Sequence, residues 1–411
     1  MYRCRRKDIG RPDCACIAGL HADSLRADAG ENTGLHWRNT ALKALLILIL
    51  LAFGLNIAKA TEVGGYNALL EKIEIGQLES FSYENDGFDI RHTVNRLLSG
   101  DLFDENEILR IIEEAAEGIV GSIGTETVKL AVPVLLSAVM KILLGRKSVC
   151  YPGVRLFCGI SAAIIMADMF DVSRRETAEL IEKTLSFAEV ASPVIISALN
   201  LTGATTTASL LSPMSSLCAI GITWVLENIC LKLAAAGALI ASVGNLSESF
   251  SLKRLFKLTR DTVIWSGGIM MAAFTAMLSV QGLMGNSVDT MAMRGMQYTA
   301  ETLIPVIGGN VSDSMDSLVA SAHAIKNAVG ITGILLLVSL CAKPLVKITV
   351  FMLSMKIASA VMEPLSEKGI VETASQFGDV GKMLLVISVS GVLMVTLMIG
   401  AALVSAGNLL A

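Results

Sequence analysis

Four polar side chains recur at helical spacing in the stretch 303–326, which reads LIPVIGGNVSDSMDSLVASAHAIK and lies between two of the most apolar parts of the chain. Asp313, Asp316, His323 and Lys326 follow one another at intervals of three, seven and three residues, so a helix would carry them along one face. This row has two interpretations. It is either a water-exposed face beside the membrane or the polar lining of a conduit.

The same stretch contains residues that interrupt a helix. Pro305 cannot continue a helix without a kink, and Gly308 and Gly309 add backbone freedom three residues later. Residues 285–328 are therefore predicted to form either a re-entrant or interfacial element, or an external loop with one amphipathic helix at 313–329. The candidate conduit or hinge residues are Pro305, Gly308, Gly309, Asp313, Asp316 and Lys326.

The sequence lacks the common motifs of enzymatic chemistry. It has four histidines and contains no GxxxxGK[ST] loop, no HExxH and no GxSxG. Eight cysteines show no disulfide framework, and the pair Cys14 and Cys16 with His21 is not a complete ligand set for a metal. We therefore predict a protein that is not an enzyme and has neither cofactor nor bound metal.

Few charged residues interrupt the apolar runs, and most lie near the ends of those runs, where their side chains could reach the membrane surface. They are Lys141, Glu189, Glu227, Lys232, Lys347 and Lys356. Glu227 with Asn228 lies between two runs and predicts a short hairpin turn. Because no paired carboxylates occur within the runs, proton-coupled transport has little support.

Composition indicates an integral membrane protein, since 53% of the 411 residues are apolar, 17% are charged and the mean hydropathy is +0.63. The predicted fold class is all-α: a polytopic α-helical membrane protein with about six to eight transmembrane helices in a core at 129–411. The apolar runs lie at about 130–144, 156–170, 186–202, 210–226, 229–245, 262–284, 329–343, 345–362 and 382–405. Small residues in 233–244 and 266–276 predict faces for helix–helix packing.

The region before the core divides into three parts. Residues 1–40 have no recognisable role and could reflect a start codon assigned too far upstream. Residues 41–60 predict a signal peptide cleaved after Ala60, with Ala58 and Ala60 as the small residues of the cleavage site, and an uncleaved first membrane helix is the alternative. Residues 61–128 predict an acidic helical region outside the cytoplasm.

Charge sets the expected orientation. The basic segment, which comprises Lys253, Arg254, Lys257 and Arg260, should be cytoplasmic. Arg146 and Lys147 should be cytoplasmic too, which places 171–183 outside, although Arg174 and Arg175 oppose that placement. The net charge of −4 does not favour nucleic acid as a partner. The expected non-protein partner is the lipid bilayer.

Three segments carry a resemblance to a known family. They are LSVQG at 278–282, the stretch from 303 to 330, and SAGNL at 405–409. In their order and in the layout of residues 62–411, they resemble the stage III sporulation protein AE family of endospore-forming bacteria.

The resemblance implies a permease-like membrane component of a channel complex that joins the mother cell to the forespore and is required for endospore formation. Its implied location is the mother-cell membrane surrounding the forespore. The implied partners are the other membrane proteins of the stage III sporulation A operon, a channel partner from the forespore and an ATPase. Within that complex the chain could be the conduit or an assembly platform, and the alternative is a stand-alone secondary transporter or exporter of a small molecule.

Overall fold

The computed structural model describes residues 75–85, 89–98, 150–244, 252–303, 308–364 and 368–405, together with positions 128, 135, 139 and 143. The predictions for residues 1–60, including the cleavage site at Ala58 and Ala60, lie outside these residues. So does most of the apolar run at 130–144. All the described residues belong to one packed unit that spans Ile57–Ala411.

All the secondary-structure elements among the described residues are helices. Two short helices, α1 (Ile75–Asn85) and α2 (Ile90–Leu98), precede the long ones. The long helices are α3 (Tyr151–Leu201), α4 (Thr205–Val225), α5 (Leu231–Gly244), α6 (Lys253–Leu303), α7 (Gly308–Met362) and α8 (Lys368–Ser405). Among the described residues, five helical stretches are long and apolar enough to cross a membrane: Pro152–Leu201, Ile220–Gly244, Lys253–Ala292, Val319–Met362 and Lys368–Val404.

Helices α4 and α5 are joined by one π-helical turn, Leu226–Cys230, and not by a hairpin. The Leu231 amide donates to the Leu226 carbonyl, five residues back, so the hydrogen-bonded ladder continues through the turn. The predicted hairpin at Glu227 and Asn228 is therefore wrong. A helix absorbs one extra residue in this way without breaking, and such turns often mark functional positions.

Two other predicted interruptions are helical as well. Residues 171–183, expected to lie outside the membrane between two runs, are the middle of α3. Several of their charges are paired: Arg174 and Arg175 both donate to Asp171, and Lys347 of α7 pairs with Glu176. The runs at 329–343 and 345–362 likewise form one helix, with Pro344 inside α7. Apolar runs alone therefore gave the wrong element boundaries, since one helix continues through a charged segment in which ion pairs form and another continues through a proline.

Side-chain contacts fix the relative directions of the long helices. The hydroxyl of Thr184 lies 3.8 Å from the thiol of Cys341, so α3 and α7 run in opposite directions, as the Glu176–Lys347 pair also requires. The tight link from α3 to α4 contains Gly203, whose φ of 79° is a conformation that glycine adopts at little cost. Helix α8 packs against α7, α3 and α6, and so lies at the centre of the bundle.

Glycine allows α7 and α8 to approach closely. A Cβ at Gly381 of α8 would lie 2.9 Å from the Cα of Met352, and one at Gly330 of α7 would overlap the side chain of Leu403. The packing prediction for 233–244 is confirmed, since Ala234, Gly237, Ala238, Ala241 and Gly244 are buried. In 266–276 only part of the segment packs: Gly267 contacts α8, whereas Gly268 faces open space.

Helices α1 and α2 pack against the bundle. Leu78, Ile90 and Val94 are buried, and the ring of Phe81 lies 6.1 Å from that of Phe187 in α3. Helix α2 contacts α7. The described part of the acidic region 61–128 thus packs against the helical bundle and does not form a separate domain.

Candidate functional site

Lys326 is buried between α7 and α8. Its side chain is 3% exposed, and its ammonium donates a 2.6 Å hydrogen bond to the carbonyl of Leu403, close to the C-terminus of α8. The last carbonyls of a helix have no intrahelical donor and carry partial negative charge, so a cation there is favourable. Gly330, one turn further along α7, leaves room for the side chain of Leu403. Lys326 therefore fastens the end of α8 to α7.

His323 is buried one turn before Lys326. It is 9% exposed, and its Nε2 finds no hydrogen-bond partner among the described residues. The interpretation of His323 and Lys326 as part of a water-exposed face is therefore wrong. Beyond them, α7 continues with buried apolar residues such as Ala328, Val329 and Ile331, which a stripe of four polar residues did not reveal.

The remaining hinge candidates lie at the start of α7. Gly308 and Gly309 are its first two residues, α6 ends at Leu303, and Pro305 lies outside the described residues. Asp313 and Asp316 belong to α7, but their side chains are not among those described. Apart from 304–307, the stretch 285–328 is thus the end of one long helix and the beginning of another. Neither a loop nor a separate amphipathic helix at 313–329 is present in the described part.

A cavity of about 40 Å³ lies among α3, α4, the π turn, α6 and α8. Thr184, Leu226, Phe274, Gly391 and Met394 contribute to its lining, which is mostly apolar. None of the predicted conduit residues lines it. In addition, no three His, Cys, Asp or Glu side chains among the described residues are grouped as metal ligands would be.

The basic segment divides into inward and outward residues. Arg260 donates to Asp261 and, at 3.3 Å, to Asp379 of α8, while Lys356 of α7 donates to the same Asp379 at 2.6 Å. Asp379 thus joins three helices through partly buried ion pairs. Lys253 pairs with Glu372 at 3.2 Å, and Arg254 and Lys257 are exposed. Lys347 is exposed and Lys356 is partly exposed, and each pairs with a carboxylate on another helix, Glu176 and Asp379 respectively.

Asp289 is a second carboxylate whose role the sequence did not reveal. It is buried in α6 and accepts hydrogen bonds from the backbone amides of Thr206 and Thr207, at 2.9 Å each, and from the Thr207 hydroxyl at 2.7 Å. It therefore caps the N-terminus of α4 from another helix. The only local signal is a single acidic residue in an otherwise apolar segment.

The outward faces of α3 and α6 differ in chemistry. On α6 the exposed side chains include Ile269, Val280, Met284, Val288 and Met291. The exposed hydroxyls between them, of Thr275 and Ser279, are bonded to the carbonyls four residues back, which satisfies them without water. This face suits contact with lipid.

The corresponding face of α3 is charged. Exposed positions recur there at spacings of three and four and carry Asp168, Arg175, Glu179, Glu182 and Glu189. A carboxylate facing lipid is unfavourable by several kcal/mol, so such residues normally face water, protein or a cavity.

Contacts with α8 place the two faces at the same level. Phe170 of α3 packs against Phe377 of α8, with ring centroids 6.4 Å apart, and nine residues along α8, Val386 lies beside Gly267 of α6. Since α3, α6 and α8 run in the same direction, Glu179 is level with Gly267. Glu182 and Glu189 are then level with residues 270–277, inside the apolar stretch of α6.

These features define an all-α membrane protein whose long helices form one bundle, with one lipid-compatible side and one charged side. The chain belongs to the stage III sporulation protein AE family, whose family model matches residues 98–407. It is 25% identical over 202 residues to the stage III sporulation protein AE of Bacillus subtilis (strain 168). That match covers 49% of this chain and 51% of the relative, so the chain spans about half the length of the curated relative it matches. No solved structure matches the chain.

Proposed function

We propose that the chain is a non-catalytic integral membrane component of the channel complex between the mother cell and the forespore, and that it acts as an assembly platform. The observation that carries the platform role is the charged outward face of α3, at the level where α6 presents only lipid-compatible side chains. Membership of the stage III sporulation protein AE family supports the sporulation context. In this proposal the chain crosses the mother-cell membrane around the forespore several times.

The charged face supports assembly because Glu182 and Glu189 need a polar neighbour at membrane depth. A partner chain or water held between chains would supply it. The other membrane proteins of the stage III sporulation A operon and the forespore channel partner are the proposed neighbours. Helix α1 packs at the level of Phe187 and is joined to α2 by an ion pair between Glu79 and Arg91.

A conduit through a single copy has less support than a platform. His323 and Lys326 are buried by helix packing, and the cavity beside the π turn has a mostly apolar lining. A passage assembled between this chain and its partners remains compatible with the charged face of α3. Energy for any transport would come from the proposed partner ATPase or from a gradient, because the sequence has no nucleotide-binding loop.

A stand-alone transporter or exporter is the alternative function. It would require the candidate residues around Pro305 to bind substrate near the middle of the membrane. The observation that favours it is limited to the unpartnered Nε2 of His323, which a substrate could contact.

Photo-crosslinking in sporulating cells tests the platform proposal. A benzophenone amino acid at position 189 should form adducts with other membrane proteins of the complex, identified by mass spectrometry. The matched control carries the same amino acid at position 280, on the apolar face of α6, and should give no protein adduct. Adducts at 280 but not at 189 would contradict the proposal.

Function can be separated from assembly with two further variants. A platform predicts that Glu182→Leu combined with Glu189→Leu lowers both partner recovery and the number of heat-resistant spores. Gly308→Leu should leave both unchanged. If Gly308→Leu abolishes spores while partner recovery persists, the conduit is the better description.

A further inference from the structure

The outward face of α6 changes from basic to apolar along its length. Arg254, Lys257, Leu258 and Trp265 lie at positions i, i+3, i+4 and i+11 of one helix, which places them on the same face. All are exposed, Leu258 at 65% and Trp265 at 71%. The apolar face described above begins one turn later at Ile269.

The two outward cations are not neutralised by the described part of the chain. Arg254 and Lys257 form no ion pair with a described residue, whereas their neighbours Lys253 and Arg260 are paired with Glu372 and with Asp261 and Asp379. Two residues of the basic segment thus pair with carboxylates of the bundle, and the other two can bind an external anion.

Distances along the helix place these cations near a membrane surface. The nineteen steps along the helix from Ile269 to Val288 correspond to about 28 Å, close to the ~30 Å thickness of a bilayer's hydrocarbon core. Trp265 then lies at the boundary, where tryptophan is enriched. Lys257 is about 12 Å beyond Trp265 along the axis, so its ammonium lies within roughly one Debye length of the headgroup layer.

We propose that Arg254, Lys257 and Trp265 form a binding site for anionic phospholipid headgroups on the leaflet where α6 begins. The two free cations attract the phosphate and the acidic headgroup, while the indole ring fixes the depth of the helix. This site goes beyond the proposed function, since it requires no partner protein. It would orient the chain and enrich acidic lipid around the channel complex.

Fluorescence quenching by brominated lipid tests the site on the full chain in nanodiscs. In a background with Trp37→Phe and Trp224→Phe, Trp265 is the only tryptophan. At equal mole fraction, brominated phosphatidylglycerol should quench Trp265 more strongly than brominated phosphatidylcholine, with a local enrichment of about two- to fivefold. The enrichment should decrease as salt is added.

The decisive variant is Arg254→Gln with Lys257→Gln, which should reduce quenching by brominated phosphatidylglycerol to the phosphatidylcholine level. Arg294→Gln, which removes an exposed cation near the other end of α6, is the matched control and should change nothing. Equal quenching by the two lipids in the parent chain would overturn the proposal. So would a double variant that keeps the enrichment, or loss of the enrichment on adding millimolar inorganic phosphate at constant ionic strength, which indicates a site for free phosphate. Crosslinking of these residues to an acidic protein, together with equal quenching by the two lipids, would also overturn the proposal and would identify that protein as the partner.

Discussion

Lys326 places a charged side chain of a candidate membrane-spanning helix in a packing contact between two helices. Its ammonium is matched to a carbonyl at the end of α8, where the helix dipole already favours positive charge. The same principle applies in reverse to Asp289, whose carboxylate meets the amides at the start of α4. Both residues connect a helix terminus to the side of another helix, which backbone hydrogen bonds alone do not achieve.

Replacing Lys326 tests whether it has a role beyond packing. Lys326→Met keeps most of the buried volume and removes both the charge and its desolvation cost, so we expect a thermal midpoint in detergent close to that of the parent and a normal spore count. Lys326→Glu should lower the midpoint by several degrees, since it places a carboxylate against the Leu403 carbonyl. Loss of spores in Lys326→Met with an unchanged midpoint would show that the charge acts in transport.

Replacing Asp289 tests whether its carboxylate stabilises the start of α4. Asp289→Asn keeps the shape but presents an amide group where two acceptors are needed, which leaves a donor at Thr206 or Thr207 unpaired. We expect a loss of about 1–3 kcal/mol in the free energy of unfolding, measured by denaturation in detergent. The control is Asp168→Asn on the exposed face of α3, which should change the free energy little.

Sequence reasoning identified Lys326 and His323 as noteworthy but misplaced them, because helical spacing shows which residues share a face and not what covers that face. For the same reason, the sequence placed Arg260 in a cytoplasmic basic segment without indicating that it contacts another helix. Of its two partners, Asp261 is the next residue, but Asp379, which Lys356 also pairs with, is 119 residues away in the chain, and nothing local to Arg260 indicates it.

At the scale of helices, the contact between α7 and α8 depends on glycine. Gly381 meets the backbone of Met352, and backbone cannot move aside as a side-chain tip can. The contact also carries the Lys356–Asp379 pair and the hydrogen bond from Ser359 to the Val371 carbonyl at 3.1 Å. Sequence predicted close packing for the small residues of α5, where they form a stripe, but single glycines in α8 gave no comparable pattern.

A glycine substitution therefore tests the α7–α8 contact. Gly381→Val should force the helices apart and reduce disulfide formation between cysteines introduced at Ser359 and Val371. Gly268→Val on α6 adds the same side chain where nothing lies within 4 Å, and should leave disulfide formation at the parent level. Equal yields in the two variants would mean that Gly381 does not set the helix spacing.

Helix existence was predictable, and helix length was not. Apolar runs located every long helix, yet charged segments such as 171–183 and the proline at 344 suggested ends that the structure does not have. The pairs of Asp171 with Arg174 and Arg175 lie within α3 and could be read from its sequence, but the pair of Glu176 with Lys347 involves another helix and could not.

At the scale of the whole molecule, the bundle is longer than a bilayer is thick. Helix α7, with 55 residues, extends about 80 Å, more than twice the ~30 Å of a hydrocarbon core. If the long helices stand upright, a large part of the bundle lies outside the membrane. At the same depth, the apolar side formed by α6 then contacts lipid, whereas the charged side formed by α3 contacts water or a partner protein.

Cysteine accessibility measures this difference between the two sides. In a cysteine-free background, an impermeant thiol reagent should label a cysteine at 182 or 189 in the isolated chain and fail to label one at 269 or 280. Partner assembly should protect positions 182 and 189 from the reagent. Labelling at 269 and 280, or none at 182 and 189 in the isolated chain, would contradict the two-sided arrangement.

The π turn at Leu226–Cys230 sets the rotational phase of the residues that follow it. Each helical residue turns the chain by about 100°, so the extra residue rotates the whole of α5 relative to α4 by that angle. The stripe Ala234, Ala238 and Ala241 is buried only in this phase. Deleting Asn228 should therefore turn that stripe out of the core while leaving composition and hydropathy almost unchanged, which makes chain length at this point as strictly constrained as residue type.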